Sequence, residues 1–397
     1  MGLKKIKENV FWAGAVDWDR RLFDSLIPIP DGTSYNAYLI LGKDRTALLD
    51  TVDPSMADVL MHNLDGVRNI DFIVSHHAEQ DHSGTILKVM NRYPDAKVVT
   101  SSKGRELLIE HLHIDESRIM TVLDGEKLEL GGKTLEFIYI PWVHWPETMA
   151  SYLHEDRILF TCDLFGSHLA TSDLYCREEW RVCEAAKRYY AEVMMPFRAH
   201  IKKHLERFEK YSVSIIAPSH GPLYNNIDCI IKAHKDWVSD SVNNTVVIPY
   251  VTMHGSTQIL VDYLADALVQ KGISVEKFNL AAADLGKFAI SLVDAATMVI
   301  GSPTVLAGAH PLVISAAFLA NALRPKLKFA SIIGSYGWGG RMLEQIKETI
   351  PGIKVQMLDP VIVKGKPVEK DFDALGKLAV QIASRHDEIN VLHGPVS

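Results

Sequence analysis

The sequence predicts an α/β chain of two domains, residues 1–243 and 244–397, the second a doubly wound parallel sheet. Three observations carry that expectation. At 397 residues the chain is too long for one ordinary hydrophobic core. Asp240-Ser241-Val242-Asn243-Asn244 is a polar linker following a predicted helix over 232–239. Beyond it, strand and helix patterns alternate regularly, the rhythm of parallel strands joined by crossover helices.

The first part is strand-rich. Tyr38-Leu39-Ile40 and Thr46-Ala47-Leu48-Leu49-Asp50 are short apolar runs, and Phe72-Ile73-Val74-Ser75 and Lys97-Val98-Val99-Thr100 add β-branched ones. Helical patterns over 56–64 and 84–92 separate several of these. Later strands are expected over 133–140, 157–161 and 214–217, and each stops shortly before a His or Asp. Side chains delivered from strand ends are held rigidly, as a metal site requires. The second part opens with the buried strand Val246-Val247-Ile248-Pro249-Tyr250, a loop rich in Ser, Thr and Gly, and a helix over 258–270. Strands over 274–275, 297–301, 329–334 and 354–356 and a closing helix over 371–385 complete a five-stranded doubly wound sheet.

Composition narrows the function. The chain is 47% apolar and 23% charged, as soluble globular proteins are. A net charge of −7 speaks against nonspecific nucleic-acid binding. No apolar run is long enough for a membrane span, and residues 1–8 lack the apolar stretch of a secretory signal. Cys162, Cys176, Cys183 and Cys229 form no Cys-x-x-Cys pair, so they read as reduced thiols, and a cytoplasmic location is expected. The same absence means that no rubredoxin-type iron centre is fused to the chain. Electrons, if they are needed, come from another molecule.

The chemistry concentrates in His77-Ala78-Glu79-Gln80-Asp81-His82, directly after an apolar run. The common dizinc hydrolase loop reads His-x-His-x-Asp-His, and here Glu79 stands at the second histidine's place. A hard anionic oxygen donor favours iron or manganese over zinc. Downstream stand His144 in Pro141-Trp142-Val143-His144-Trp145-Pro146, Asp163 in Thr161-Cys162-Asp163, and His220 in Pro218-Ser219-His220-Gly221. Taken singly, such a His is more often structural and such an Asp a turn or cap. Seven in order at the ends of predicted strands argue for a metal site.

These motifs resemble those of the flavodiiron proteins, in which a metallo-β-lactamase-like αββα sandwich precedes a flavodoxin-like domain, and the resemblance covers essentially the whole chain. It implies one iron held by His77, Glu79 and His144, a second held by Asp81, His82 and His220, and Asp163 bridging both. It selects His77 over His76, since neighbouring side chains on a strand point to opposite faces. It matches His168 to a position lining the pocket, where proton supply and plain packing both remain open. Tyr190 is matched to a tyrosine near the metals, with core packing as the competing reading. The activity implied is reduction of dioxygen to water, nitric oxide to nitrous oxide, or both. The donor implied is rubredoxin or a reduced deazaflavin coenzyme. The assembly implied is a head-to-tail homodimer, possibly paired into a tetramer, with the flavin of one subunit serving the metals of the other.

In the second domain, Thr252-Met253-His254-Gly255-Ser256-Thr257 joins the first strand to its helix. Small hydroxyl residues and Gly there let backbone N–H groups close on a phosphate at the helix N-terminus. Helix capping is the bland alternative. Ser302-Pro303-Thr304 and Ser335-Tyr336-Gly337-Trp338-Gly339 open two further strand-end loops that would flank a flavin ring, with Tyr336 or Trp338 packing beside it. No Gly-x-Gly-x-x-Gly opens the domain, so NAD is not expected and FMN is. Two departures stand out: Asp24 replaces a histidine found in many family members, and Leu306-Ala307 replaces paired asparagines. The rival reading is a dizinc hydrolase fused to a flavodoxin domain. Glu79 opposes it, and hydrolysis has no use for FMN.

Overall fold

Along the strand Tyr38–Leu41, Tyr38 and Ile40 face one way and Leu39 the other, and all three are buried. A strand buried on both faces belongs in the middle of a layered structure. The computed structural model, which describes residues 2–392, builds those layers. One sheet has seven strands in the order Lys4–Lys7, Val10–Trp12, Tyr38–Leu41, Thr46–Leu49, Phe72–Val74, Lys97–Thr100, Ile119–Thr121. The other has five, Lys127–Glu129, Thr134–Tyr139, Met149–Leu153, Ile158–Cys162, Ile215–Pro218. Tyr38, Ile40, Leu49 and Val74 meet Phe137, Met149 and Phe160 between the sheets. Leu39, Leu48, Ile73 and Val98 pack outward on Leu60, Ile86, Val89 and Leu108 of the helices. On the far side, Leu159 and Ile216 line a cavity shared with Leu205, Phe208 and Ile231 of the helices Arg198–Phe208 and Asp228–Val238. The result is the expected αββα sandwich.

Strand ends then converge. Ile158–Cys162 and Ile215–Pro218 run parallel with Cys162 opposite Pro218, which sets Asp163 and His220 at one edge of the sheet.

Among the described residues, the chain divides into a unit running up to Tyr190 together with Phe197–Val238, and a second made of Ala191–Pro196 and the chain from Ser239 on. In the second, the strands order as Ser274–Asn279, Asn243–Tyr250, Ala295–Val305, Phe329–Tyr336, Gln356–Met357, pairing in parallel. This is the 2-1-3-4-5 order of the flavodoxin-like fold, with its switch point between the first and third strands. Gly301 sits opposite Tyr250 there, and a Cβ on it would come within 2.7 Å of Tyr250 Cβ. Two boundaries differ from expectation. Asn243 donates to Asp294 O at 2.6 Å and starts the first strand, so sheet pairing overrides its polar character. The last strand is split: Gln356–Met357 stops before Pro360, which lacks a ladder donor, and Val361–Lys364 resumes beside Phe329–Tyr336.

Candidate metal centre and ligand cavity

All seven predicted ligands come together in the first unit, as two groups that share Asp163. In one, the Nε2 atoms of His77 and His144 each lie 3.0 Å from Glu79 Oε2 and 3.7 Å from Asp163 Oδ2. In the other, His82 Nε2 lies 3.1 Å and His220 Nε2 3.3 Å from Asp163 Oδ1, and Asp81 approaches the same two imidazoles at 3.3 and 3.2 Å. One carboxylate thus turns an oxygen to each group. Phe72–Val74 delivers the 77–82 loop, and the loop between Thr134–Tyr139 and Met149–Leu153 delivers His144.

Both oxygens of Asp81, both of Asp163, and His82 Nε2 are buried without a hydrogen-bond partner among the described residues. Such groups cost roughly 1–3 kcal/mol each when left unsatisfied, more when charged. In the protein alone, charge compensates in part. Burial pulls the His77, His82 and His220 imidazoles down, but the facing carboxylates outweigh it and raise all three, His220 to about 10. Burial likewise pushes the Glu79 and Asp163 carboxyls up, and the imidazoles beside them more than reverse that, leaving both well below the ordinary range. A pair of divalent cations would replace those protons and satisfy the unpartnered oxygens. The donor set of four imidazoles and three carboxylates fits two irons.

The neighbouring residues sort cleanly. His76 turns away: its Nδ1 meets Asp50 at 2.7 Å and its Nε2 meets Ser151 Oγ at 2.7 Å. His168 reaches the pocket, its ring 4.8 Å from that of His220 and its Nδ1 2.8 Å from Thr33 Oγ1. Burial, then the cationic His220, holds its imidazole well below the usual range, so it is neutral. The tyrosine assignment needs correction. Tyr190 faces Trp237 and His234, and its hydroxyl donates to Trp237 O at 3.3 Å. Tyr189 is the pocket residue, its ring 4.7 Å from His168 and 5.6 Å from His220. Adjacent helical residues project about 100° apart, so choosing between them needed the helix phase. Burial, then Asp163, Asp81 and Glu79, raises the Tyr189 hydroxyl and keeps it protonated. Asp24 stands at the rim. Withdrawal from water, then Glu79 and Asp81, pushes its carboxyl up to about 6. Sequence reading missed Glu147, whose Oε1 lies 2.6 Å from His77 Nδ1. Its place, three residues after His144, was the only signal.

In the second unit a cavity of about 350 Å³ opens at the switch point. Its walls include Thr252, Met253, His254, Ser256 and Thr257 from the first loop, Pro303 and Thr304 from the second, and Ser335, Tyr336, Gly337, Trp338 and Gly339 from the third. Val305, Leu306, Ala307 and Gly365 add to it. The helix Ser256–Val269 points its N-terminus there, and Thr252 Oγ1 accepts from Gly255 N at 3.1 Å. Hydroxyls and a helix N-terminus suit a phosphate. Two predicted residues serve differently. Ser302 is buried outside the wall, its Oγ accepting from His310 N at 3.1 Å. Gly255 supplies a left-handed turn with φ of 86°.

Residues 33–221 match the family described as ODP family beta lactamase. A nitric oxide reductase of Moorella thermoacetica is 33% identical over 394 residues, covering 95% of this chain and 98% of its own. The solved rubredoxin oxygen:oxidoreductase of Desulfovibrio gigas superposes with a TM-score of 0.94 at 28% identity, covering 97% of this chain and 99% of its own. The flavodiiron protein of Giardia intestinalis gives 0.91 at 26% identity, with 98% and 97% covered.

Proposed function

The chain belongs to the flavodiiron proteins, and from that premise we propose that it is an oxidoreductase passing electrons from an external carrier, through FMN in the second unit, to two irons in the first. The product is water from dioxygen, nitrous oxide from nitric oxide, or both. The observation carrying this reading is Asp163, whose two oxygens face two separate imidazole–carboxylate groups, one of them containing Glu79. Two ferrous ions bound there would supply electrons to a gas molecule. FMN would supply them one at a time from a two-electron store.

The chain's own residues do the rest. His77, Glu79 and His144 hold one metal position, and Asp81, His82 and His220 the other. Burial excludes bulk water from most of this set. Both reductions consume protons, and two groups face the pocket: the protonated Tyr189 hydroxyl, and neutral His168, placed to relay a proton through its Nε2, which is buried without a partner among the described residues. In the cavity, the 252–257 loop is placed to cradle the FMN phosphate, and the 303–307 and 335–339 loops to flank its ring.

Protein purified anaerobically from iron-replete cells should contain two irons and one FMN per chain. Zinc-loaded, iron-free protein would overturn the reading in favour of a dizinc hydrolase, which Glu79 opposes. Stopped-flow reoxidation of reduced protein with each gas separates the substrates. Reduction by rubredoxin or by a reduced deazaflavin coenzyme identifies the donor. We also propose a cytoplasmic head-to-tail homodimer, possibly paired into a tetramer. Mixing a flavin-free Gly255→Trp chain with an iron-free His82→Ala chain should restore activity once subunits exchange. Exchange without recovery rules that assembly out.

A further inference from the structure

We infer that Glu147 makes the two metal positions electronically unequal, so that the iron held by His77, Glu79 and His144 has the lower reduction potential. The inference rests on the two-iron reading above. The two ligand sets match in kind. Each has two imidazoles, one carboxylate of its own and one oxygen of Asp163. One difference is the group behind His77 and the group behind His220. Glu147 is 4% exposed, and its Oε1 lies 2.6 Å from His77 Nδ1 and 3.0 Å from Ala78 N. A carboxylate only accepts, so Nδ1 carries the hydrogen and Nε2 is left as the metal-facing lone pair. In the other set, His220 Nδ1 donates to the backbone oxygen of Ser34 at 2.7 Å. One histidine is therefore backed by a full negative charge and the other by a carbonyl dipole.

An imidazole donating to a carboxylate is the stronger electron donor to its metal. A stronger donor stabilises the ferric over the ferrous state, so the iron on His77 is oxidised first and reduced last. Glu147 also ties the two loops of that set together. It lies on the loop that carries His144, its backbone oxygen accepts from Ser101 Oγ at 2.9 Å, and its carboxylate holds the loop carrying His77. It touches neither metal position in this arrangement and acts as a positioning residue through His77.

The test compares wild type with Glu147→Gln, which keeps an acceptor and removes the charge, and with Glu147→Asp, which keeps the charge. Potentiometric titration of iron-loaded protein, followed by the EPR signal of the mixed-valence pair, should give two separate midpoints in wild type. In Glu147→Gln the lower midpoint rises and the potential range of the mixed-valence signal narrows. Glu147→Asp moves back toward wild type. A second readout needs no iron: chelator competition for zinc added to the apo-protein should show one of two equivalents weakened about 10- to 100-fold in Glu147→Gln. Unshifted midpoints, unresolved midpoints in wild type, or equal weakening of both equivalents would overturn the inference. Wild type that takes up no iron while the zinc equivalents still split would instead sink the two-iron reading.

Discussion

The metal pocket and the flavin cavity are built in opposite ways. In the pocket, seven side chains do the work, delivered from strand ends into an interior where unpartnered oxygens of Asp81 and Asp163 demand a cation. The cavity instead presents hydroxyls and turns at the ends of parallel strands, with Met253 and Trp338 largely exposed at its edge. Side-chain type is decisive in the first and backbone conformation in the second. The two sites should therefore fail separately, and by different amounts.

The largest expected effect is Glu79→His. It removes an anionic donor from one metal position and returns the loop to a hydrolase-like set. Gas reduction should fall by orders of magnitude with FMN content unchanged, as read by stopped-flow turnover and by metal and flavin analysis. Unaltered turnover would place Glu79 outside the metal's ligands. The converse is Gly255→Ala. A Cβ there meets nothing within 4 Å, so the cost comes from a φ of 86° alone. A left-handed residue costs about 1–2 kcal/mol, and where the flavin-free loop relieves that strain by leaving the turn, FMN binding weakens by roughly tenfold. Iron content should not change. Loss of iron in this variant would show that the two sites are not separable.

Acid offers a smaller comparison, between buried histidines outside both sites. In the first unit, burial drives the His234 imidazole down to about 3, its Nδ1 donating to Ile230 O at 3.0 Å. In the second, burial drives His386 down to about 4; Asn244 Oδ1 lies 2.8 Å from its Nδ1, and Thr297 Oγ1 lies 2.7 Å from its Nε2. Both are neutral in the fold. The unfolded chain takes up protons below about 6.5, so it binds more protons than the folded chain between there and the lowered values. Stability is then fully present above about 6.5 and is lost as pH falls toward 3 and 4. Denaturant titrations of His386→Gln at pH 7 and 4.5 should show a pH slope shallower by up to one proton, about 1.4 kcal/mol per pH unit. An unchanged slope would mean that His386 is already charged in the fold.

The same contrast governs what the sequence reveals. His77, Glu79, Asp81, His82, His144, Asp163 and His220 were legible because only a few side-chain types bind metal, and each follows an apolar strand. Glu147 was not, since nothing in a linear chain says that a carboxylate 70 positions away meets His77 Nδ1. The choice of Tyr190 over Tyr189 failed on helix phase. The three cavity loops were legible by position, because the βα rhythm fixes where strand ends gather. Ser302 was not excluded, because whether a strand-end serine faces the cavity or turns inward to accept from His310 N depends on its side-chain direction. The last strand was expected over 354–356 alone, and its second half, Val361–Lys364, was missed because it resumes only after Asp359 and Pro360.

The smallest effect tests whether backbone conformation really sets the cavity. Leu306 and Ala307 form a two-residue loop between Thr304–Val305 and Gly308–Ala309, which pair antiparallel. Both have positive φ, 49° and 60°. Hairpin loops with that pair of angles favour Asn followed by Gly, since neither suffers much in the left-handed region. Here a leucine and an alanine hold it, with Leu306 95% exposed and the Ala307 oxygen fixed by Arg341 N at 2.8 Å. Replacing them by Asn and Gly should relieve strain and stabilise the protein by about 0.5–1 kcal/mol for each residue. Differential scanning calorimetry of single and double variants reads that gain. A conformational role predicts higher stability with FMN affinity equal to or better than wild type. Higher stability with weaker FMN binding would instead make the Leu306 side chain a flavin contact, and the rule that backbone dominates this site would fail at its most exposed residue.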